Sequence, residues 1–431
     1  MKPQARQPGV AKREVFGWAM YDFANSGFTT VVITAVFSAY FVGAVAQGAP
    51  WGAFAWTATL GVSYALVMLT MPALGAWADL RAAKKRLLAV VTALCVLTTA
   101  ALALVGPGDL WLAIVLLILA NTTYSWGEST SYAFLPEIAT PEAIGKVSGW
   151  GWGLGYAGGM LTLGLCLAYV LSAQARGETA GDFVPVTMLI TAGMYGAASL
   201  FTFALLKERA EPQVAVAQAS GVRASLARLR STWQASRQYR DFSWLLTSAF
   251  FYQGGVAVAI TLAAIYAQQV IGFQADEVMI LVFVINAAAM AGALAFGYVQ
   301  DRIGHRLTLA LTLVGWAVTC VWAGLATDKA TFWGAAWLAG ICMGSSQSSG
   351  RAMAGLLAPA HQLAEFYGLW SFATRLAAIA GPVMYGAITW ATEGDQRTAI
   401  FATTALFVAG LLCLIPLDMA RGRRAAQATN D

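Results

Sequence analysis

Long apolar runs separated by short polar turns recur twelve times along the 431-residue chain. Their centres fall near Thr30, Tyr64, Leu97, Ile118, Gly158, Gly193, Ala257, Phe283, Val318, Leu338, Ala378 and Ala405. A helix needs about 20 apolar residues to cross a bilayer, so the pattern predicts twelve membrane-spanning helices. A membrane barrel would instead repeat alternating segments of about 10 residues, and the chain has no such pattern. Lipid offers no partner for a free backbone amide, so each span is expected to be helical. Leu206 to Asp241 is the longest polar stretch and divides the spans six and six. The expected organisation is an N-terminal six-helix bundle over 1–206, a cytoplasmic linker over 207–240 and a C-terminal six-helix bundle over 241–431. In the linker, Leu226, Leu229 and Trp233 fall at helical spacing among arginines. That pattern suits a basic amphipathic helix on the membrane surface, with a solvated linker helix as the alternative.

Composition narrows the class. Hydrophobic residues make up 59% of the chain and charged residues 11%, whereas soluble domains carry about 25% charged residues. An integral membrane protein is the class that fits. The 43 glycines suit helices that pack closely through small residues. Five cysteines lie scattered in apolar runs without metal-ligand spacing, and give no disulfide framework. The two histidines, His305 and His361, are expected in loops. The spans then lack the commonest metal ligand and proton shuttle, and neither metal nor cofactor is expected. The first apolar run exceeds the 7–15 residues or so of a signal-peptide core and is interrupted by Asp22 and Asn25. It is expected to persist as the first span.

The basic residues set an orientation. With both termini cytoplasmic, 21 of the 26 lysines and arginines fall in cytoplasmic segments. Only Arg176, Lys329 and Arg397 fall on the opposite side, and Arg351 and Arg375 fall inside spans. The formal charge of +5 is therefore read as a topology signal and a contact with anionic lipid, not as a nucleic-acid patch.

The two halves repeat. An offset of 222 positions pairs Asp79 with Asp301, Gly75 with Gly297 and Gly159 with Gly381. It also lays the stretch from Tyr132 over the stretch from Ala354. One offset serving loops and helices alike points to an internal duplication. Two parallel six-helix halves with a site between them is the architecture of major facilitator secondary transporters. The loops GAWADLRAAKKR and GYVQDRIGHR supply Gly75, Asp79, Arg81, Gly297, Asp301 and Arg302 as candidate latches between the halves. Each aspartate could meet a helix N-terminus or a basic side chain of the other half. The first loop lacks the glycine that the second has at Gly304, so the latch is expected to be better formed in the second half.

Four ionisable residues interrupt the spans: Asp22, Glu128, Arg351 and Arg375. Such residues are costly in a membrane and mark functional paths. At about 1.5 Å per residue, all four lie roughly 8–15 Å from the cytoplasmic ends. The acids belong to the first half and the arginines to the second. They are expected to face each other across the central cavity, closing the cytoplasmic side and coupling its opening to protons or to a charged solute. A permanent pair within each half is the alternative. Tyr21, Asn25, Asn121, Tyr124, Trp126, Tyr252, Gln253 and Gln347 are candidate solute contacts, or alternatively hydrogen-bonding groups between helices. Together they suit a small polar or zwitterionic solute. The run GWGWGLGYAGG from Gly149 to Gly159 lacks the lysine and strand of a phosphate loop and is read as a glycine-lined packing face.

Three stretches, WAMYDFANSGF, SYAFLPEIATPEAIGKVSGWGWGLGYAGG and EFYGLWSFATRLAAIAGP, resemble the vacuole-effluxer-like branch of the major facilitator superfamily. Fungal members of this branch export amino acids from the vacuole. The resemblance implies twelve helices, rocker-switch alternating access and solute transport, in a bacterial inner membrane. It places Asp22, Asn25, Glu137, Gly149 and Gly381 on positions of the family pattern. The expectation is a monomeric transporter, not an enzyme, that moves an amino-acid-like solute with protons. Efflux of drugs or other amphipathic compounds is the second transport reading. A non-transporting membrane sensor is the reading from another class.

Overall fold

Each apolar run winds into a helix because that is how a segment satisfies its own amides in lipid. In the computed structural model, residues 5–49, 51–210 and 239–428 are described. The long helices are α1 Lys12–Val45, α2 Gly52–Leu80, α3 Lys84–Ala101, α4 Leu110–Tyr132, α5 Ile144–Ala175, α6 Ala180–Leu205, α7 Arg240–Tyr266, α8 Ala275–Ile303, α9 His305–Leu325, α10 Lys329–Leu357, α11 Leu363–Ala391 and α12 Gln396–Leu414. A short α13, Met419–Gln427, follows. The amphipathic segment expected around Leu226, Leu229 and Trp233 lies outside the described residues.

Ten of the described helices are long and apolar enough by themselves to cross a membrane. The other two long helices, α10 and α11, have the length, with 29 residues each. They hold Ser345, Ser346, Gln347, Ser348, Ser349 and Arg351, and Ser371, Thr374 and Arg375, respectively. Most of those groups are buried against other helices.

Helix α1 is not uniform. Lys12–Phe28 is α-helical, Thr29–Ala35 is wound as π-helix, and a second π segment runs over Phe41–Val45. Thr29 and Thr30 donate to the Ser26 carbonyl, and Thr34 donates to that of Thr29. Hydroxyls that compete for helix carbonyls loosen a helix, and π turns recur at functional sites.

Helices α1–α6 and α7–α12 form two bundles that meet at one end only, the end bearing most of the basic loops. There the buried clusters mix both halves. One joins Tyr132 and Tyr156 to Tyr252, Tyr367 and Trp370. Another joins Trp18, Tyr21 and Phe134 to Ala352. At the opposite end each cluster belongs to a single half: Phe28, Phe37, Phe41 and Trp56 in one, Tyr266, Phe273 and Phe332 in the other. The molecule is therefore closed at the basic end.

Two helix pairs carry the closure. Gly75 of α2 lies on the backbone of Ala364 in the first turn of α11, and Gly149 of α5 lies on Ala293 and Gly297 of α8, with no room for a Cβ at either. Beside them, Asp79 accepts the Glu365 N–H at 3.0 Å, at the start of α11. Asp301 accepts the N–H groups of Gly145 and Lys146 at 3.0 and 2.9 Å, at the start of α5. Each half thus places an aspartate on a helix N-terminus of the other, where the dipole favours an anion. The first loop also makes its cap in spite of its missing glycine, with one amide on Asp79 against two on Asp301. Ala82 takes the glycine's place with φ 49°, against 95° at Gly304, so both loops turn through a positive φ. Arg81 folds over the Trp77 ring, 5.3 Å from its centroid. Arg302 is exposed. His361 lies in the turn Ala360–Gln362 as expected, but His305 heads α9 and is buried, its Nδ1 3.2 Å from Gln300 Oε1.

Candidate functional site

The four intramembrane charges meet as two ion pairs, and both pairs cross between the halves. Arg351 Nη1 lies 2.6 Å from Asp22 Oδ2. Its Nε donates to Ser148 Oγ at 3.0 Å and its Nη2 to the Ser148 carbonyl at 2.6 Å. Ser148 Oγ in turn donates to the Ser348 carbonyl at 2.9 Å. Three rings surround the guanidinium, with centroids at 4.8 Å for Trp18 and Tyr132 and 5.3 Å for Trp152. Arg351 is 1% exposed and Asp22 7%. Helices α1, α5 and α10 meet at this pair.

The second pair joins Arg375 of α11 to Glu128 of α4, through Nη2 and Oε2. Tyr124 and Tyr132 sit one helical turn to either side of Glu128, so all three share a face. Both phenols donate to Glu128 Oε1, at 2.8 and 3.1 Å. Arg375 stacks near Tyr64 and Tyr124, at 5.4 and 5.9 Å. Its Nε is buried without a hydrogen-bond partner. This pair keeps 15% and 18% exposure.

The candidate solute residues divide. Tyr124 stands at the second pair. Tyr21 bonds Thr92 at 2.9 Å, Asn121 bonds Ser63 at 2.6 Å and Trp126 bonds Thr70 at 3.0 Å. All three thereby tie helices within the first half. Asn25 Oδ1 accepts from Tyr195 at 2.5 Å, while its Nδ2 is unpartnered. Gln253 and Gln347 bond each other between α7 and α10, at 2.8 and 3.2 Å. The Tyr252 hydroxyl is buried and unpartnered, against Gly350 and Trp370. Glu137 pairs with Lys84 inside the first half.

Comparison with known proteins decides the family. The family model described as vacuole effluxer Atg22 like matches residues 52–145 and 142–427. The chain belongs to this family of major facilitator transporters. An MFS-type transporter of Bacillus subtilis, YxiO, is 30% identical over 96% of this chain and 97% of its own length. The autophagy-related protein 22-1 of Aspergillus niger is 24% identical over 71% of this chain, which spans about half (52%) of that longer protein. Among solved structures, the human organic anion transporter MFSD10 superposes with a TM-score of 0.75 at 14% identity, covering 95% of this chain and all of that one. The proton:xylose symporter XylE superposes with a TM-score of 0.72 at 12% identity, covering 93% and 94%. These likenesses establish the twelve-helix major facilitator fold.

In this effluxer-family transporter, six residues at the site escaped sequence reasoning: Trp18, Tyr64, Tyr132, Ser148, Trp152 and Tyr195. Tyr132 was within reach, four positions after Glu128 on a helix. Tyr64 is the lone tyrosine of α2, which is a weaker signal. Ser148 carried none, since nothing in a glycine-rich run marks which face meets Arg351.

Proposed function

We propose that this transporter moves a small polar, amino-acid-like solute by alternating access and that the Glu128–Arg375 pair couples the movement to protons. The observation that carries the reading is access. The acid and the arginine belong to opposite halves, touch, and still keep 18% and 15% exposure. As the halves rock, Arg375 leaves and returns, so Glu128 has a cation partner in one state and lacks it in the other. The proton:xylose and fucose:proton symporters among the structural neighbours support coupling of this kind. The family's description as vacuole effluxers supports the solute class.

On this reading the basic end is cytoplasmic, in a bacterial inner membrane, and the protein works as a monomer. The state described faces outward, the conformation in which FucP was solved. Asp22–Arg351 and the two aspartate-capped seams hold the cytoplasmic side shut. Tyr124, Asn25, Tyr252, Gln253 and Gln347 offer the solute its polar contacts. A second reading has one observation in its favour. An open, mostly apolar groove of about 530 Å³ on α7 and α11, lined by Leu262, Ile265, Tyr385, Trp390 and Glu393, would suit an amphipathic cation.

Two assays test this. Thermal stabilisation against amino acids, peptides, sugars and lipophilic cations names the solute, since a ligand raises apparent stability by roughly RT ln(1 + [L]/Kd). Proteoliposomes then report flux. We expect E128Q to lose gradient-driven accumulation of an amino acid while keeping solute exchange at equal pH. Undiminished gradient-driven flux in E128Q would remove the coupling role. Stabilisation confined to lipophilic cations would move the assignment to amphipathic efflux, and binding with no flux would favour a sensor.

A further inference from the structure

The α5–α8 seam carries two cations that the transport cycle does not use. Lys146 opens α5; its ammonium forms no contact ion pair among the described residues, and the nearest acid is Asp301, whose carboxylate is taken up by the Gly145 and Lys146 N–H groups. It lies 5.0 Å from the ring centroids of both Trp150, on α5, and Tyr298, on α8. Trp150 Nε1 donates to the Tyr298 hydroxyl at 3.2 Å, so the rings form one bracket across the seam. One turn beyond Tyr298, Arg302 is exposed and also forms no described ion pair. One turn before it, Leu294 is 37% exposed, and Tyr298 itself is 44% exposed. Read along α8, this face passes from apolar to aromatic to cationic at the helix end. That is the profile of a membrane boundary, where aromatic residues sit at headgroup level.

We propose that this bracket is a binding site for the phosphate of an anionic phospholipid. The phosphate is held between Lys146 of one half and Arg302 of the other, and the acyl chains run along Leu294. Because the two cations belong to different halves, the bound headgroup adds a link across a seam already tied by Asp301. It favours the state in which the basic end is closed. The α2–α11 seam does not offer the same chemistry. There Arg81 folds over Trp77 of its own helix, and an acid, Glu365, stands at the start of α11 beside Asp79.

The test uses the full chain in neutral detergent, with spin labels at L171C and I280C. These positions are exposed near the far ends of α5 and α8. The probes are phosphatidylglycerol, phosphatidylcholine and inorganic phosphate, with bound lipid counted by native mass spectrometry. Each basic side chain near a membrane surface adds about a fivefold preference for anionic lipid. Phosphatidylglycerol should therefore be retained roughly tenfold or more over phosphatidylcholine, and should lengthen the label distance. K146Q/R302Q should lose both responses, K146R/R302K should restore the retention, and R86Q, at an exposed cation of α3, should keep both. An undiminished phosphatidylglycerol preference in K146Q/R302Q would overturn the site. The same response to inorganic phosphate would overturn a lipid as its occupant. Preferential retention with no change in distance would overturn the link between halves. A melting temperature in phosphatidylcholine equal to wild type shows that each variant is folded.

Discussion

The two ion pairs that cross the molecule are made of the same chemistry and are held in different ways. Arg351 is enclosed by Trp18, Tyr132 and Trp152, bonded to both oxygens of Ser148, and closed off with Asp22. Arg375 has Glu128, two flanking tyrosines and an unpartnered Nε. Burial decides what each can do. A fully enclosed pair cannot exchange partners without large separation of the helices around it, so it is suited to holding a state. A pair at the edge of water can trade its partner for a proton or a solute group, so it is suited to sensing one.

The largest effect that would break this comparison lies at the enclosed pair. Removing one member of a buried pair leaves a bare charge, at about 3–5 kcal/mol. D22N and R351Q should each cause severe loss of folded protein, read by size exclusion and thermal melting. The double variant D22L/R351M should recover folding but not transport. The next effect is at the accessible pair. E128Q leaves Arg375 charged at a site that keeps 15% exposure, so it should destabilise by less than the roughly 3–5 kcal/mol of the enclosed pair, while losing most gradient-driven flux. Equal destabilisation by D22N and E128Q would erase the distinction. Smaller still, Y132F removes one of two tyrosine hydrogen bonds to Glu128 and leaves that of Tyr124 in place, at about 0.5–1 kcal/mol. It leaves the ring on Arg351, so it should slow transport several-fold with little change in melting. D301N and D79N remove a charge from a helix N-terminus, about 0.3–1 kcal/mol each. Both should raise the labelling of cysteines placed inside the basic end, and D301N more, because it accepts from two amides. The smallest effect is A82G, which should stabilise by up to about 1 kcal/mol by relieving a positive φ.

Much of this arrangement was legible because a charge in an apolar run stands out. Asp22, Glu128, Arg351 and Arg375 could be picked from the chain, and equal depth on opposite halves suggested that they meet. Which acid takes which arginine was not legible, because depth along a helix says nothing of its rotation. The same limit divided the polar residues. Asn121 and Trp126 turn to neighbours in their own half, whereas Tyr124, two or three positions away on the same helix, turns to the ion pair. The capping role of Asp79 and Asp301 could be anticipated from the repeat. The turn at Ala82 could not, since an alanine there gives no sign of a left-handed backbone.

The polarity of α10 and α11 has a consequence for how the protein is made. A helix bearing serines, a glutamine and an arginine gains little by leaving water for lipid. Its charges become tolerable once partners are present, and those partners, Asp22, Ser148 and Glu128, all lie in the half synthesised first. An N-terminal bundle that folds first would present these partners to the last polar hairpin as it inserts. Losses at Asp22 should be felt first during biogenesis, as failed integration of α10, before any transport cycle begins.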